Sequence, residues 1–331
     1  MSEVIDFEKK KAAKGSWRDH VFTAAQLRDK VFPPVSYIVP GLIPEGLTIL
    51  AGRPKIGKSW MVLDIAIGVA TEGKVLGNIH VTQGDVLYCA LEDNPRRLQR
   101  RIRKLGVQWP SRLTFAHQWR RLDGGGLDDI KEWCDGVDSP RLVLLDTFAG
   151  VRPDRHVRDT PYDGDYRALE GAQRFANDNR LGIVPLHHTR KMEADDPLDT
   201  ISGTLGQIGC ADTGLVLARS QKGTTLYVRG RDVEERECAM EFVPGTCRWK
   251  LLGEAAEVHR SDTRKLIAGE LMTATELMTP KQIVTATGLD RTTVDTTLHR
   301  MVVDGEIIQE ARGKYRLPGR EFAETCKIRK M

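Results

Sequence analysis

Long apolar runs are missing from this chain. The longest, Trp60 to Ala70, is broken by Asp64 and is too short to cross a bilayer. The segment Met1 to Lys14 is charged and lacks the apolar stretch of a secretion signal, so neither export nor a membrane span is expected and a cytoplasmic location follows. Six cysteines, at 89, 134, 210, 238, 247 and 326, include no C-x-x-C pair, and Cys89 and Cys210 lie in apolar or glycine-rich surroundings. That pattern argues for a reduced protein without structural zinc. Charge of one sign is not in excess: 50 basic residues stand against 46 acidic ones, a net +4, so any contact with nucleic acid rests on local clusters. No internal repeat or low-complexity tract is present. What remains, 331 residues with 40% hydrophobic content, suffices for one large α/β core and a small second domain.

The feature that is present is Gly52-Arg53-Pro54-Lys55-Ile56-Gly57-Lys58-Ser59, a full G-x-x-x-x-G-K-[ST] loop, following the apolar run Leu47 to Ala51 and preceding the helical pattern that opens at Trp60. Backbone N–H groups of such a loop and of the first helical turn converge on phosphates, where the helix N-terminus also offers partial positive charge. Lys58 is expected to reach the β- and γ-phosphates of ATP, and Ser59 to place a hydroxyl on Mg2+. Gly52 and Gly57 supply backbone geometry that a side chain would obstruct.

Between about Val35 and Gly253 apolar strands alternate with helical stretches, as a parallel sheet with crossovers requires. The expected strands are Leu47 to Ala51, Asp85 to Ala90, Leu142 to Leu145, Gly182 to Leu186, Thr213 to Leu217 and Thr224 to Val228. Several end in chemistry-bearing residues. Glu92, just beyond the second strand, is placed to polarise an attacking water, although Glu92-Asp93-Asn94 also reads as the cap of a helix opened by Pro95; the two roles are compatible, with Asn94 capping. Asp146 ends Leu142-Val143-Leu144-Leu145, the form of a Walker B strand, and would hold the magnesium ion. His187-His188 end the next strand, where a γ-phosphate sensor is expected, and the residues alone do not choose between them. Arg229 and Arg231 leave the last strand on one face; either they reach a neighbouring subunit's nucleotide or they are a solvated strand end.

In this order, the Gly52–Ser59 loop, Glu92, Asp146, His187-His188 and Arg229-x-Arg231 resemble the RecA-fold ring ATPases, AAA-type P-loop proteins of phage and plasmid origin, in particular plasmid RepA-type hexameric helicases and their relative DnaB. The likeness covers roughly residues 20 to 253 and includes Pro33-Pro34, Val39-Pro40-Gly41-Leu42-Ile43-Pro44 and Gly203-Thr204-Leu205-Gly206-Gln207-Ile208-Gly209. It implies that His188 stands where DnaB-like proteins carry a phosphate-sensing glutamine, and that Arg229 and Arg231 stand where they carry a Lys-x-Arg pair acting across the subunit interface. It also implies a ring, expected to be a hexamer, with single-stranded DNA held by the loops Gly150 to Asp165 and Lys191 to Asp212. The first loop carries Arg152, Arg155, His156 and Arg158; the second is acidic at Glu193-Ala194-Asp195-Asp196. Neither has an aromatic residue at its tip, so backbone tracking is expected rather than base stacking.

Residues 262–318 lack strand–helix alternation. Pro280 to Val284, Gly288 to Val294 capped by Asp290, Leu298 to Val302 and a hairpin from Ile308 to Leu317 around Gly313 read as a winged helix-turn-helix. Its eight basic and eight acidic side chains leave duplex DNA and a replication protein as equal candidates for its partner, with Arg291, Arg300, Arg312, Lys314 and Arg316 clustered on the second helix and wing. The expected organisation is therefore an arm at 1–35, a RecA-like P-loop core at 36–253, the winged helix at 262–318 and a basic tail at 319–331. The expected activity is ATP-driven helicase or translocase action in replication of a mobile element. The alternatives are a DNA-bound regulatory or recombination-mediating ATPase that does not unwind DNA and, less favoured, a monomeric small-molecule kinase.

Overall fold

A computed structural model describes residues 21–154, 159–189, 196–201, 205–220 and 223–320. It divides into two units, 1–36 and 37–331. In the first, α1 (Ala24–Arg28) is set by a capping box: the Thr23 hydroxyl accepts from the Gln26 N–H while the Gln26 side chain accepts from the Thr23 N–H.

The second unit begins with a small hairpin, β1 (Tyr37–Val39) and β2 (Ile43–Pro44), and continues into β3 (Gly46–Gly52) and the phosphate-loop helix α2 (Lys58–Thr71). A second short hairpin, β4 (Lys74–Val75) and β5 (Ile79–His80), leads to β6 (Asp85–Ala90), α3 (Pro95–Leu105), β7 (Leu113–Ala116), α4 (Gly126–Asp135) and β8 (Pro140–Asp146). Then come α5 (Pro161–Asp178), β9 (Gly182–His188), α6 (Leu205–Cys210), β10 (Thr213–Ser220), β11 (Gly223–Gly230), β12 (Arg236–Val243) and β13 (Arg248–Glu254). The chain ends in α7 (Ala255–Thr273), α8 (Pro280–Thr287), α9 (Arg291–Val303) and the hairpin β14 (Ile308–Ala311) and β15 (Lys314–Arg316).

One nine-stranded sheet, in the order β13-β12-β11-β10-β3-β9-β8-β6-β7, organises the unit. From β10 through β7 all neighbours are parallel; β11, β12 and β13 add antiparallel at one side. The six expected strands all form. Those not expected are β7, β12, β13 and the short hairpins. Alternation divides the core between two faces. Val86, Tyr88, Leu142, Leu144, Val184 and Leu186 pack on the face that carries α2 and α3, while Leu87, Cys89, Val143, Leu145 and Ile183 pack on the face of α4 and α5. The chain leaves β3 to build β6, β7, β8 and β9 on one side and returns to lay β10 on the other. The crevice at the carboxyl end of β3 is thus a topological switch point, where ligands bind in open α/β sheets.

Two of the expected loops are shorter than the sequence suggested. Thr160 caps α5, with Pro161 as its first residue, so the loop after β8 ends at 160 rather than 165. The loop after β9 contains a 3₁₀ turn over Pro197–Thr200 and then α6. Arg155, His156, Arg158 and Glu193 to Asp195 lie outside the described residues.

Downstream, α7 packs against β12 and β13 with its first half and then contributes Ile267 and Leu271 to a separate apolar cluster with Ile283, Val294, Leu298, Met301 and Ile307. Thr279 and Asp290 cap α8 and α9, Gly288 ends α8 with φ 71°, and Gly313 turns the final hairpin with φ 68°. Met278 pairs with Tyr315, which ties the segment before α8 to that hairpin. Among the described residues no helix is long and apolar enough to cross a membrane.

Candidate nucleotide site

The loop between β3 and α2 is shaped by two glycines. A Cβ on Gly52 would lie 2.7 Å from the Leu217 carbonyl of β10, a distance no side chain tolerates. Gly57 has φ 109°, and a Cβ there would meet the Trp249 ring at 3.1 Å. With Lys55 also left-handed at φ 64°, the loop curls over the end of β3 and α2 begins directly at Lys58. Arg53, Pro54 and Lys55 are exposed on the rim, Ile56 packs inward, and Trp60 lies under the guanidinium of Arg101, 5.3 Å from its ring centre.

Lys58 is buried. Its Nζ donates to the carbonyls of Gly52 at 2.7 Å and Arg53 at 3.3 Å and stands 3.4 Å from Nδ1 of His188. Burial pulls the Lys58 pKa down, opposed by the nearby carboxylates of Asp146 and Glu92. At the end of β8, Asp146 accepts hydrogen bonds from the Tyr88 hydroxyl, at 2.8 Å on Oδ2, and from the Ser59 hydroxyl. It is 5% exposed, and burial raises its pKa, with the two hydroxyls opposing. Glu92 is exposed at the mouth of the same crevice; its Oε1 accepts from the Thr147 hydroxyl at 3.2 Å. Asn94 caps α3 by accepting from the Arg97 N–H at 2.9 Å, and Arg97 also donates to the Glu92 carbonyl at 3.0 Å. Capping thus falls to Asn94 and leaves the Glu92 carboxylate to the crevice.

The two histidines are not equivalent. His188 is opposite Gly52 in the β3–β9 register and faces Lys58. His187 points to the other face, against the Phe148 ring at 5.9 Å, and accepts from the His188 N–H at 2.9 Å. Burial depresses the His187 pKa, which keeps that ring neutral.

A buried carboxylate bonded only by hydroxyls, beside a phosphate loop, suits a hard cation. Among the described residues no cluster of three or more His, Cys, Asp or Glu side chains is arranged around a metal position. The oxygen donors of Ser59 and Asp146 fit Mg2+, which keeps most of its shell as water and phosphate oxygen.

Arg229 and Arg231 are not brought to this crevice. β11 runs antiparallel to β10, and Gly230 pairs with Thr213 at the edge where β3 begins. Thr213 in turn pairs with Thr48, four strand residues or about 13 Å before Gly52, and β11 lies two strands away from β3. Arg229 pairs with Asp196 and Glu235, and Arg231 with Asp212 at 3.1 Å.

Trp249 and Tyr88 were not anticipated as parts of the site. Trp249, 1% exposed on β13, donates its Nε1–H to the Gly57 carbonyl at 3.1 Å. Its strand went unrecognised, so no local signal marked it. Tyr88 was legible in principle: it shares a face with Ala90, which pairs with Asp146, so its phenol reaches the diagonal neighbour. Tyr162 and Tyr166 stack with ring centres 6.4 Å apart on the first turns of α5, exposed, just past the loop where no aromatic tip was expected.

Among solved structures, the chain resembles the ATPase domain of G40P, with a TM-score of 0.51 and 12% identity over 63% of this chain and 85% of that one. It also aligns with a DnaB-like replicative helicase described with its interactions with primase, at 12% identity over 62% of this chain and 57% of that one, with a TM-score of 0.49. The G40P likeness shows the fold alone, a RecA-like core with a large, mostly parallel sheet. An AAA domain model matches residues 18–194, more than half of the sequence, and the chain belongs to that AAA domain family.

Proposed function

We propose that the protein is a magnesium-dependent ATP hydrolase of RepA type that assembles as a ring, expected to be a hexamer, and moves along or unwinds single-stranded DNA in replication of a mobile element. The observation that carries this reading is the convergence of Lys58, Ser59, Asp146, Glu92 and His188 on one crevice, with Arg229 and Arg231 at the opposite edge of the sheet. Lys58 binds the β- and γ-phosphates, and the loop amides orient them. Glu92 polarises the attacking water, and His188, in reach of Lys58, senses the terminal phosphate. Ser59 and Asp146 would hold a magnesium ion, which would supply positive charge against that developing on the transferred phosphoryl group. Two strands from β3 and paired with Asp196, Glu235 and Asp212 away from their own loop, Arg229 and Arg231 have a catalytic role only at a neighbour's nucleotide, which a monomeric kinase does not need.

Residues 262–318 are read as a winged helix-turn-helix, with α9 as its second helix and β14–β15 as the wing. Arg291 and Arg316 are engaged by Asp295 and Glu310, which leaves Arg300, Arg312 and Lys314 as the cations of α9 and the wing that are exposed without ion-pair partners among the described residues. This module favours a second reading, a DNA-bound regulatory or recombination-mediating ATPase, in which it selects the site.

The test is ATP-dependent strand displacement on forked DNA, with hydrolysis followed in the same tubes and Lys58→Ala as control. Displacement that is lost in Lys58→Ala supports the helicase. Hydrolysis without displacement rejects unwinding and supports the regulatory ATPase.

A further inference from the structure

With basic and acidic residues nearly balanced, unpaired positive charge is worth locating, and α3 concentrates it. Six of its eleven residues are basic. Leu98, Ile102 and Leu105 form its buried stripe, and Arg97 and Arg101 turn toward Asp93, which both bind. Arg96, Arg100, Arg103 and Lys104 remain, at i, i+4, i+7 and i+8, which puts all four on one exposed face. Among the described residues none of these four has a carboxylate partner. By contrast Arg120, Arg121, Arg152, Arg167 and Arg174, on the other face of the sheet, each meet one. Like charges three and four residues apart destabilise a helix by about 0.2–0.5 kcal/mol per pair, so the stripe carries a cost that an anionic ligand removes.

A second feature lies on another flank of the same helix, where Gln99 stands between it and the stripe. Trp109, 56% exposed, lies just past the end of α3, beside a groove of about 380 Å³ lined by Leu98, Gln99, Ile102, Trp109 and Phe115. From Arg96 to Lys104 the stripe is about 12 Å long, enough for two or three successive phosphates of a strand, and the indole offers a face for a base at its end.

We infer that the exposed face of α3, with Trp109, is a binding surface for single-stranded nucleic acid, separate from the loops after β8 and β9. This inference rests on the reading that the protein works on single-stranded DNA. Arg96, Arg100, Arg103 and Lys104 take the phosphates, and Trp109 stacks a base. The surface is tied to the nucleotide crevice, because α3 starts three residues after Glu92 and Arg97 holds the Glu92 carbonyl.

The experiment is anisotropy of a labelled oligo-dT with the full chain across about 50 to 200 mM salt, comparing wild type, R96Q/R100Q/R103Q/K104Q and Trp109→Ala, with melting temperature as the folding control. Losing the two or three phosphate contacts that the stripe spans lowers the slope of log affinity against log salt by about 1.4–2.1, so wild type loses about 7- to 18-fold more affinity over that range than the quadruple variant. Trp109→Ala binds at least fivefold more weakly with the salt slope unchanged, since stacking releases no counterions. An unchanged slope in the quadruple variant overturns the inference while the DNA reading stands. A smaller oligomer with an unchanged slope also overturns it and makes the stripe a subunit contact. Wild type that fails to bind oligo-dT at all sinks both readings.

Discussion

Trp249→Phe separates a residue that positions the phosphate loop from one that merely fills space. The indole donates to the Gly57 carbonyl at 3.1 Å and covers the only side of Gly57 where a Cβ would go. That carbonyl also accepts from Trp60 N at 3.2 Å and Met61 N at 3.1 Å, so removing the indole leaves no orphaned acceptor. The hydrogen bond is therefore worth about 1 kcal/mol and not the larger penalty of a bare carbonyl. The missing part of the ring system adds about 1–2 kcal/mol of cavity cost, for a total of about 2–3 kcal/mol in denaturant unfolding. If the hydrogen bond holds the loop in its phosphate-ready form, a nucleotide must restore that order on binding. The Kd of a fluorescent ATP analogue then rises about fivefold, with little change in kcat. The control is Phe242→Leu: Phe242 packs on Trp249 with ring centres 5.2 Å apart but makes no hydrogen bond to the loop among the described residues. It should lower stability by about 1–2 kcal/mol and leave the Kd alone. Equal losses of stability with an unchanged Kd in both variants would refute the positioning role.

Asp146→Asn is expected to stabilise the nucleotide-free protein. Burial raises the Asp146 pKa, so the folded state holds a proton that the unfolded state has lost, and stability falls as pH rises above the ordinary carboxylate value of 3.8. Thermal unfolding between about pH 4 and 7 should show a flatter decline in the variant, together with loss of the extra stabilisation that magnesium adds to nucleotide. Glu92→Gln should keep nucleotide binding and melting temperature while turnover drops at least 100-fold; an active variant removes Glu92 from the chemistry. Arg231→Ala breaks the pair with Asp212, but that carboxylate still accepts from Leu47 N and from Gln173 at 2.9 Å each, so the stability loss stays near 1 kcal/mol. Hydrolysis that rises steeply with protein concentration in wild type should vanish in this variant, and equal specific activity at all concentrations in both would exclude action across an interface.

The strands that sequence exposed are those buried on both faces. β6 and β8 read as continuous apolar runs because helices cover them on either side, and their ends place Glu92 and Asp146 at the same sheet edge. The strands it hid are mixed in pattern. β12 carries Arg236, Glu237 and Glu241, and β13 carries Arg248, Lys250 and Glu254, because this side of the sheet meets solvent and borrows its order from β11. Trp249 shared that obscurity, since its role depends on a strand that crosses 192 residues of sequence to reach Gly57. The choice between His187 and His188 likewise needed the register with β3: alternate residues face opposite sides, and only pairing with Gly52 says which side holds Lys58.

Two buried charges face each other across this crevice, and the same burial strains both. Desolvation lowers the Lys58 pKa and raises that of Asp146, so each is pushed toward its neutral form, while the partial compensation comes from the Asp146 and Glu92 carboxylates for Lys58 and from the Tyr88 and Ser59 hydroxyls for Asp146. On the proposed reading a triphosphate would give Lys58 an anionic partner beyond the Gly52 and Arg53 carbonyls, and a divalent cation would give Asp146 a positive one beyond its hydrogen bonds. Each ligand thus relieves the group that the other does not touch, and binding of either favours the charged form needed by its counterpart. The apparent affinity for magnesium should therefore depend on the phosphate chain, and that dependence should disappear in Lys58→Ala even where residual nucleotide binding survives.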